Sequence, residues 1–407
     1  MESALHIVKK LKEEGYIAYY AGGWVRDYLM GNRSSDIDIA TDASPEEIAR
    51  LFPNTIHVGA SFGVIVVVLE GQQFEVATFR EDLAYEGGRR PLAIVQSTAE
   101  QDAFRRDFTI NGMFYDPITE VIYDYVGGQE DLKRRIIRTI GNPSERFQED
   151  RLRMIRAIRF AKRFHFHIEH ETYLAIQQHA STLLPAVSME RVWQELNKMA
   201  AYPRFDEALV EMAATGLLSE IFPELKSVTP HEIAKRVSSF SYFPEQTPTI
   251  AYLMELFPEN PLNDMLALCR YLKASNEEMR FAQQLMQARA LVVDEETDDF
   301  TWSQLYAHPS GRKCLDIIAA RYSEKQRSLF LQTHQRRSEK LEDHIHRIRH
   351  RTPLVTSALL KKEGIPPGKK MGRLLQEAER IAINQHIEDV DTILKLLKQS
   401  PHWDEEL

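Results

Sequence analysis

Residues 17–42, Ile17-Ala-Tyr-Tyr-Ala-Gly-Gly-Trp-Val-Arg-Asp-Tyr-Leu-Met-Gly-Asn-Arg-Ser-Ser-Asp-Ile-Asp-Ile-Ala-Thr-Asp42, decide the fold. Ile17 to Ala21 is short and rich in β-formers, and Gly22-Gly23 halts it. A strand therefore runs into a tight turn and then a short amphipathic helix from Trp24 to Met30, closed by Gly31. From Ser35 to Ala40 the residues alternate with period two. As a strand this stretch places Asp36 and Asp38 on one face and Ile37 and Ile39 on the other.

Like charges side by side on a sheet face repel, and folding tolerates them poorly unless a cation lies between them. Paired carboxylates facing phosphates suit Mg²⁺, and two such ions about 3.5–4 Å apart activate an attacking hydroxyl and stabilise a leaving pyrophosphate. A solvated edge strand would also carry Asp-x-Asp, and the tripeptide alone does not separate the two. Gly22-Gly23 shifts the weighting. Glycine at a helix start frees backbone amides for an anion, and Arg26 lies one turn along.

The chain has 407 residues, which predicts two to four domains, and 43% hydrophobic with 27% charged residues describes a globular protein rather than a disordered one. Cys269 and Cys314 sit in separate helical segments without metal-ligand spacing, so neither a disulfide framework nor a zinc site is expected. The start, Met-Glu-Ser-Ala-Leu-His, has no signal-peptide layout and no apolar run reaches membrane-spanning length, so the expected compartment is the cytoplasm, with no membrane partner. A net charge of −9 argues against indiscriminate nucleic-acid binding, but the charge is segregated. Arg146 to His165 holds seven Lys or Arg against two acids, and His334 to Arg373 holds eleven against four.

In chain order, residues 3–14 predict a short helix, and Ser44-Pro45-Glu46-Glu47 is a capping box that starts another. Gly63–Leu69 and Phe74–Phe79 read as a hairpin whose second strand turns Glu75 away from Phe74 and Val76, a third candidate carboxylate if that strand lies beside Asp36 and Asp38. Residues 81–103 are polar and read as a loop. In Arg105-Arg106-Asp107-Phe-Thr-Ile-Asn111, Asp107 and Asn111 are helical i, i+4 neighbours able to face one ribose, while Arg106 meets a phosphate. A capped helix with an internally paired arginine would carry the same residues. Tyr123–Gly128 and Ile136–Arg138 read as the last strands, and from Pro143 the pattern is helical.

On that first long helix, Glu149, Arg153, Arg156, Arg159 and Arg163 share one face, opposite Met154, Ala157, Ile158, Ala161 and Phe164. Asp150 borders the basic stripe one turn from Arg153. One carboxylate and one guanidinium match the Watson–Crick edges of cytosine and adenine, whereas guanine and uracil present opposed groups. As a plain surface ion pair the two would contribute only about 0.3–0.5 kcal/mol.

Gly22-Gly23-Trp-Val-Arg26-Asp27, Asp36-Ile-Asp38, Arg106-Asp107-Phe-Thr-Ile-Asn111, Gly127-Gly128-Gln-Glu-Asp131 and Glu149-Asp150-Arg-Leu-Arg153 occur in the order and spacing of a known family. The chain resembles the class II tRNA nucleotidyltransferases, the bacterial CCA-adding enzymes, and their relatives the bacterial poly(A) polymerases. The motifs span about residues 17–200. The resemblance implies an α/β polymerase-β-like nucleotidyltransferase head (1–140) followed by an all-α neck (141–225), body (226–330) and tail (331–407). It implies that Asp36 and Asp38 hold two Mg²⁺ ions, that Gly22, Gly23 and Arg26 receive the triphosphate, and that Arg106, Asp107 and Asn111 contact phosphate and ribose. Asp150 and Arg153 would select the base, with Arg156 and Arg159 lining the same pocket. The implied reaction is attack of an RNA 3′-hydroxyl on the α-phosphate of CTP or ATP, without a nucleic-acid template. The partners are then a tRNA or other RNA 3′ end, with no protein partner required.

Lys369, Lys370 and Arg373, after Gly364-Ile-Pro-Pro-Gly368, read as a grip on an RNA backbone or as a solvated basic turn. Some relatives append a metal-dependent phosphohydrolase domain marked by a His-Asp pair. None occurs here, and no such activity is expected. The rival readings are a poly(A) polymerase, an enzyme adding only CC or only A, a non-catalytic RNA-binding regulator and a small-molecule nucleotidyltransferase. Ala60-Ser61-Phe62-Gly63 follows Gly59 where the poly(A) branch tends to carry a basic pair, which favours tRNA end repair. Intact Asp36, Asp38, Arg106 and Asp150 oppose the regulator, and the long basic helical half opposes the small-molecule enzyme.

Overall fold

Tyr19 and Tyr20 are chain neighbours buried on opposite sides of one sheet, because side chains on a strand alternate. The computed structural model describes residues 1–59, 63–86 and 90–404, so the Ala60–Phe62 departure and the Gly87–Arg89 tip lie outside the described residues. Two units are present, Met1–Arg236 and Val237–Leu407.

In the first unit the seven-stranded sheet runs β3 (Thr55–Gly59), β4 (Val64–Leu69), β5 (Gln72–Thr78), β2 (Asp38–Thr41), β1 (Ala18–Ala21), β8 (Met113–Asp116), β9 (Val121–Asp124). Only β2 and β5 are parallel neighbours. On one face α1 (Glu2–Glu13) buries Ile7, Val8 and Leu11 against Tyr20, Ile39, Ile65 and Val76. Helices α2 (Gly23–Leu29) and α3 (Pro45–Leu51) add Trp24 and Ile48 to that core, and α3 starts at the expected Ser44–Glu47 capping box. On the other face α4 (Ala99–Phe104) sets Ala99 and Ala103 against Tyr19, Phe79 and Phe114. Asp38 shares this second face with Ala40, at the open end of β2.

Two expectations need correction. The stretch 81–103 is not a loop: β6 (Arg80–Glu86) and β7 (Arg90–Gln96) pair as an antiparallel hairpin, and α4 follows. Polar residues at Glu81 and Asp82 hid the strand signal, and the two strands find partners in each other rather than in the main sheet. Ile136–Ile137 likewise stays outside that sheet. After α5 (Gly128–Arg134) it forms β10, parallel to β11 (His167–Ile168), because the chain returns there directly after α7 (Leu152–Phe164). Helices α6 (Pro143–Glu149), α9 (Met189–Ala200) and α10 (Phe205–Ala214) pack against α7, and α8 (His170–His179) packs against α6. The second unit is helical from Thr249–Met254 to Pro401–Asp404. Its buried Glu255 accepts from Arg289 at 2.5 Å and Arg321 at 2.7 Å.

Two glycines are required by geometry. Gly22, with φ 64 and ψ −123, turns β1 into α2, and a Cβ there would stand 2.8 Å from Arg106 Nη1. At Gly128 a Cβ would stand 2.3 Å from the Thr109 carbonyl, so α5 can approach the short 3₁₀ turn Thr109–Asn111 only without a side chain. Gly128→Ala is expected to destabilise the protein by about 1–3 kcal/mol through overpacking. Urea unfolding of variant and parent measures it, and an unchanged midpoint would contradict the close approach.

Candidate active site

The register of β1 and β2 sets Ala21 opposite Asp38, so the Gly22-Gly23 turn begins beside that carboxylate. On its other side β5 pairs Val76 with Ile39, which brings Glu75 level with Asp38. Ile37 and Ile39 are buried, while Asp36, Asp38 and Glu75 are exposed, as the period-two reading requires. Asp38 alone begins the strand, and Asp36 precedes it with its backbone N–H donated to Ser34 Oγ at 3.3 Å. Although open to the cleft, Asp38 is crowded enough that loss of water, then Glu75 and Asp36, push its carboxyl up to about 6, with Arg106 opposing. Such a set of carboxylate oxygens suits a hard divalent cation. Among the described residues no group of three or more His, Cys, Asp or Glu is placed to hold one ion, so Glu75 is level with the pair without closing a three-ligand cage.

A cleft of about 400 Å³ extends from Asp38, Gly22 and Gly23 to Asp150, Arg153 and Arg191. Between these ends lie Arg105, Arg106, Asp107, Asn111, Arg156 and Phe160. Asp107 and Asn111 do meet, with Asn111 Nδ2 donating to Asp107 Oδ1 at 3.0 Å, but not across a helical turn. Helix α4 stops at Phe104, and Asn111 ends the 3₁₀ turn that α5 supports. Arg156 donates from Nε to Asp107 Oδ2 at 2.9 Å. Burial would raise the Asp107 carboxyl, but Arg156 and the Asn111 amide outweigh it and hold it down at about 2. Arg26 is buried and donates from Nη1 to Asn111 Oδ1 at 2.7 Å and from Nε to Asp27 at 2.9 Å. Arg106 pairs with buried Asp102 at 2.9 Å and lies 5.0 Å over the Phe114 ring.

At the far end, Asp150 and Arg153 do not pair with each other. Arg191 of α9 donates to both Asp150 oxygens, at 3.2 and 2.8 Å. Arg153 donates to Glu149 at 2.8 Å and to the Arg105 carbonyl at 3.0 Å. Arg159 is not on the cleft wall as expected. It is buried behind it, donating to buried Glu195 at 2.6 Å with its guanidinium 4.1 Å over the Phe160 ring. Sequence reasoning missed Arg191 and Glu195. Their signal was present: they are i, i+4 charges on α9, beside buried Val192, Trp193 and Leu196. Arg105 and Phe160 were missed too, and nothing in their spacing sets them apart. In the second unit, Lys369 and Arg373 are exposed in the first turns of helix Lys369–Asn384.

A model described as the poly A polymerase head domain matches residues 18–138, and one described as a probable RNA and SrmB-binding site of polymerase A matches residues 165–229. Fold and cleft together define a nucleotidyltransferase. Among curated relatives, the CCA-adding enzyme of Geobacillus kaustophilus is 48% identical over 219 residues, about half of each chain (54%). That of Pediococcus pentosaceus is 31% identical over 393 residues, 95% of each chain. The solved structure of the Bacillus stearothermophilus CCA-adding enzyme in complex with CTP aligns with a TM-score of 0.79 at 29% identity, covering 98% of both chains. The chain belongs to the CCA-adding enzyme family. No helix among its described residues is long and apolar enough to cross a membrane.

The raised Asp38 carboxyl has a measurable consequence. A folded value above the unfolded one means that folding is favoured below about pH 4 and that this contribution is lost as pH rises through about 6. Without added metal, Asp38→Asn is expected to raise the thermal midpoint at pH 7–8, by no more than about 1 kcal/mol given solvent screening. At pH 4 it should change the midpoint little. A midpoint lowered at neutral pH would show that the charge is not under strain.

Proposed function

We propose that the protein adds CCA to the 3′ end of tRNA from CTP and ATP, releasing pyrophosphate and using no nucleic-acid template. One observation carries this reading: a single cleft joins a strained carboxylate beside a glycine turn to the Asp150 carboxylate that caps α6 and the Arg153 guanidinium on α7, which together match a base edge. That the Bacillus stearothermophilus relative was crystallised with CTP supports it.

In this reading the Gly22–Gly23 turn, whose Gly22 N–H donates to the Met113 carbonyl at 3.1 Å, presents the Gly23 amide, which with the Arg106 guanidinium receives the triphosphate, while Asp107 and Asn111 orient the ribose. Asp150 accepts from the exocyclic amino group of cytosine or adenine and Arg153 donates to the ring acceptor. Arg26 and Arg156 act behind them, holding Asn111 and Asp107 in place. Asp36 and Asp38 would hold two Mg²⁺ ions, with Glu75 as a further candidate, and these ions would supply activation of the primer hydroxyl and neutralisation of the pyrophosphate. The exposed Lys369 and Arg373, with Lys370, would contact RNA backbone. The division into head (1–140), neck (141–225), body (226–330) and tail (331–407), and a cytoplasmic location beside the tRNA pool, belong to the same proposal.

The direct test supplies Mg²⁺ and transcripts ending at the discriminator base, at C or at CC, with CTP or ATP singly, beside an oligoadenylate primer. Ordered addition of three nucleotides that then stops is expected. Unlimited adenylate on any primer would replace this reading by poly(A) synthesis, and stopping after CC, or adding A only to CC, would mark a partial enzyme. Asp36→Ala and Asp38→Ala should each abolish transfer while RNA retention on a filter stays within about twofold; retained transfer would remove them as metal ligands. Asp150→Ala and Arg153→Ala should admit UTP or GTP before transfer is lost. An equal fall for all four nucleotides would show that they do not read the base.

A further inference from the structure

A second cavity of about 560 Å³ shares no lining residue with the cleft. Its size falls within the range of small-molecule sites. It opens where three helices end, and the residues that cap them, Met30 after α2, Arg135 after α5 and His165 after α7, all line it. Arg135 and His165 both take the left-handed conformation at φ 57, and the His167 N–H donates to the Arg135 carbonyl at 2.9 Å, so the two caps are tied together through the β10–β11 pairing.

The electrostatics select the ligand. Each helix end carries part of a negative charge on its last carbonyls, several of which already accept a following backbone N–H, against two positive charges from Lys133 and Arg135. Both side chains are exposed, and neither has an ion-pair partner among the described residues. A lone anion or a lone cation therefore meets surroundings of both signs. A molecule with amino donors at one end and an anionic group at the other satisfies both sets. The rings of Phe164 and Phe166, with centroids 5.9 Å apart, add aromatic surface for a planar group between those ends.

We propose that this cavity is a second nucleotide site, taking an amino-bearing base, adenine or cytosine, against Phe166 and the helix ends and its phosphates against Lys133 and Arg135. It adjoins the cleft through Phe164, whose ring lies 4.4 Å beneath the Arg26 guanidinium.

Equilibrium dialysis of the full chain with radiolabelled ATP, without divalent cation, tests the proposal. Two ATP per chain are expected. Lys133→Glu and Phe166→Ala should each weaken one of them at least tenfold, with CTP incorporation into a tRNA primer unchanged. Arg153→Ala should weaken the other, so that loss of the cleft site and loss of this one are read separately. UTP, which lacks the amino group, should fill at most the cleft. A single ATP per chain in the parent, two ATP unaffected by both Lys133→Glu and Phe166→Ala, or UTP retained at the site those variants abolish would each overturn it. Far-ultraviolet circular dichroism and retained CTP incorporation establish that the variants are folded.

Discussion

The bond between Arg156 and Asp107 is the constraint from which the site is built. Its partners come from different elements, the long helix α7 and the link between α4 and the 3₁₀ turn, and Asp107 is buried. Removing Arg156 leaves the Asp107 charge buried without its cation, which typically costs about 3–5 kcal/mol. From Asp107 the connection runs to Asn111, from Asn111 to Arg26, and from Arg26 to Asp27 in the helix that follows the glycine turn. The glycine-turn end of the cleft and α7 are therefore joined by one hydrogen-bonded chain. With Asp107 held at about 2, that chain stays charged and closed across the whole neutral range.

Asp38 shows the opposite design. Where Asp107 is held in its charged form by cations, Asp38 faces Glu75 and Asp36 and is held away from it. The sheet could have relieved this with a lysine on β5. Its absence leaves a concentration of acceptor charge whose natural complement is a cation brought from solution, at the point where the glycine turn offers amides to an anion. A phosphate-bearing ligand with its counter-ions would neutralise both, which on the proposed function would direct binding energy to the reacting phosphate.

The alternation in Asp36-Ile-Asp38 and the Gly22-Gly23 stop were legible because both are local: strand period and glycine turns act within a few residues. Strands β1, β2, β4, β5 and β9 were legible for the same reason, while β3 and the interior β8 were not. The β6–β7 hairpin was not, since its partners are each other and polar residues mask the period. Neither was the route from Asp107 to Asn111, which looked like one helical turn and is a break after Phe104 followed by a 3₁₀ turn. What decides it is Gly128, distant in sequence, letting α5 press on Thr109. The partners of Asp150 and Arg153 were out of reach for a related reason. Helical spacing makes an ion pair between them available, but Arg191 arrives from α9 with bidentate geometry and Glu149 sits a turn before Arg153, and each offers better contact than the i, i+3 alternative.

Those pre-existing partners bear on how a protein side chain can take the place of a template base. A free Asp–Arg pair would collapse on itself and would have to open for every nucleotide. Here each member is already satisfied from outside the pair. Arg191 fixes the Asp150 carboxylate from one side, and a carboxylate has acceptor capacity beyond the two bonds it receives there. Arg153 gives Nη1 to Glu149 and to the Arg146 carbonyl and Nη2 to the Arg105 carbonyl, and a guanidinium has five donors. Both groups thus keep their protein bonds while what remains is free for a base edge. On the proposed function the orientation entropy would be lost on folding rather than on each nucleotide addition, and selectivity would follow from the direction in which the unused lone pair and N–H point. Arg159 and Glu195, buried behind the wall, hold a guanidinium over the ring of Phe160 and so fix that part of the cleft lining.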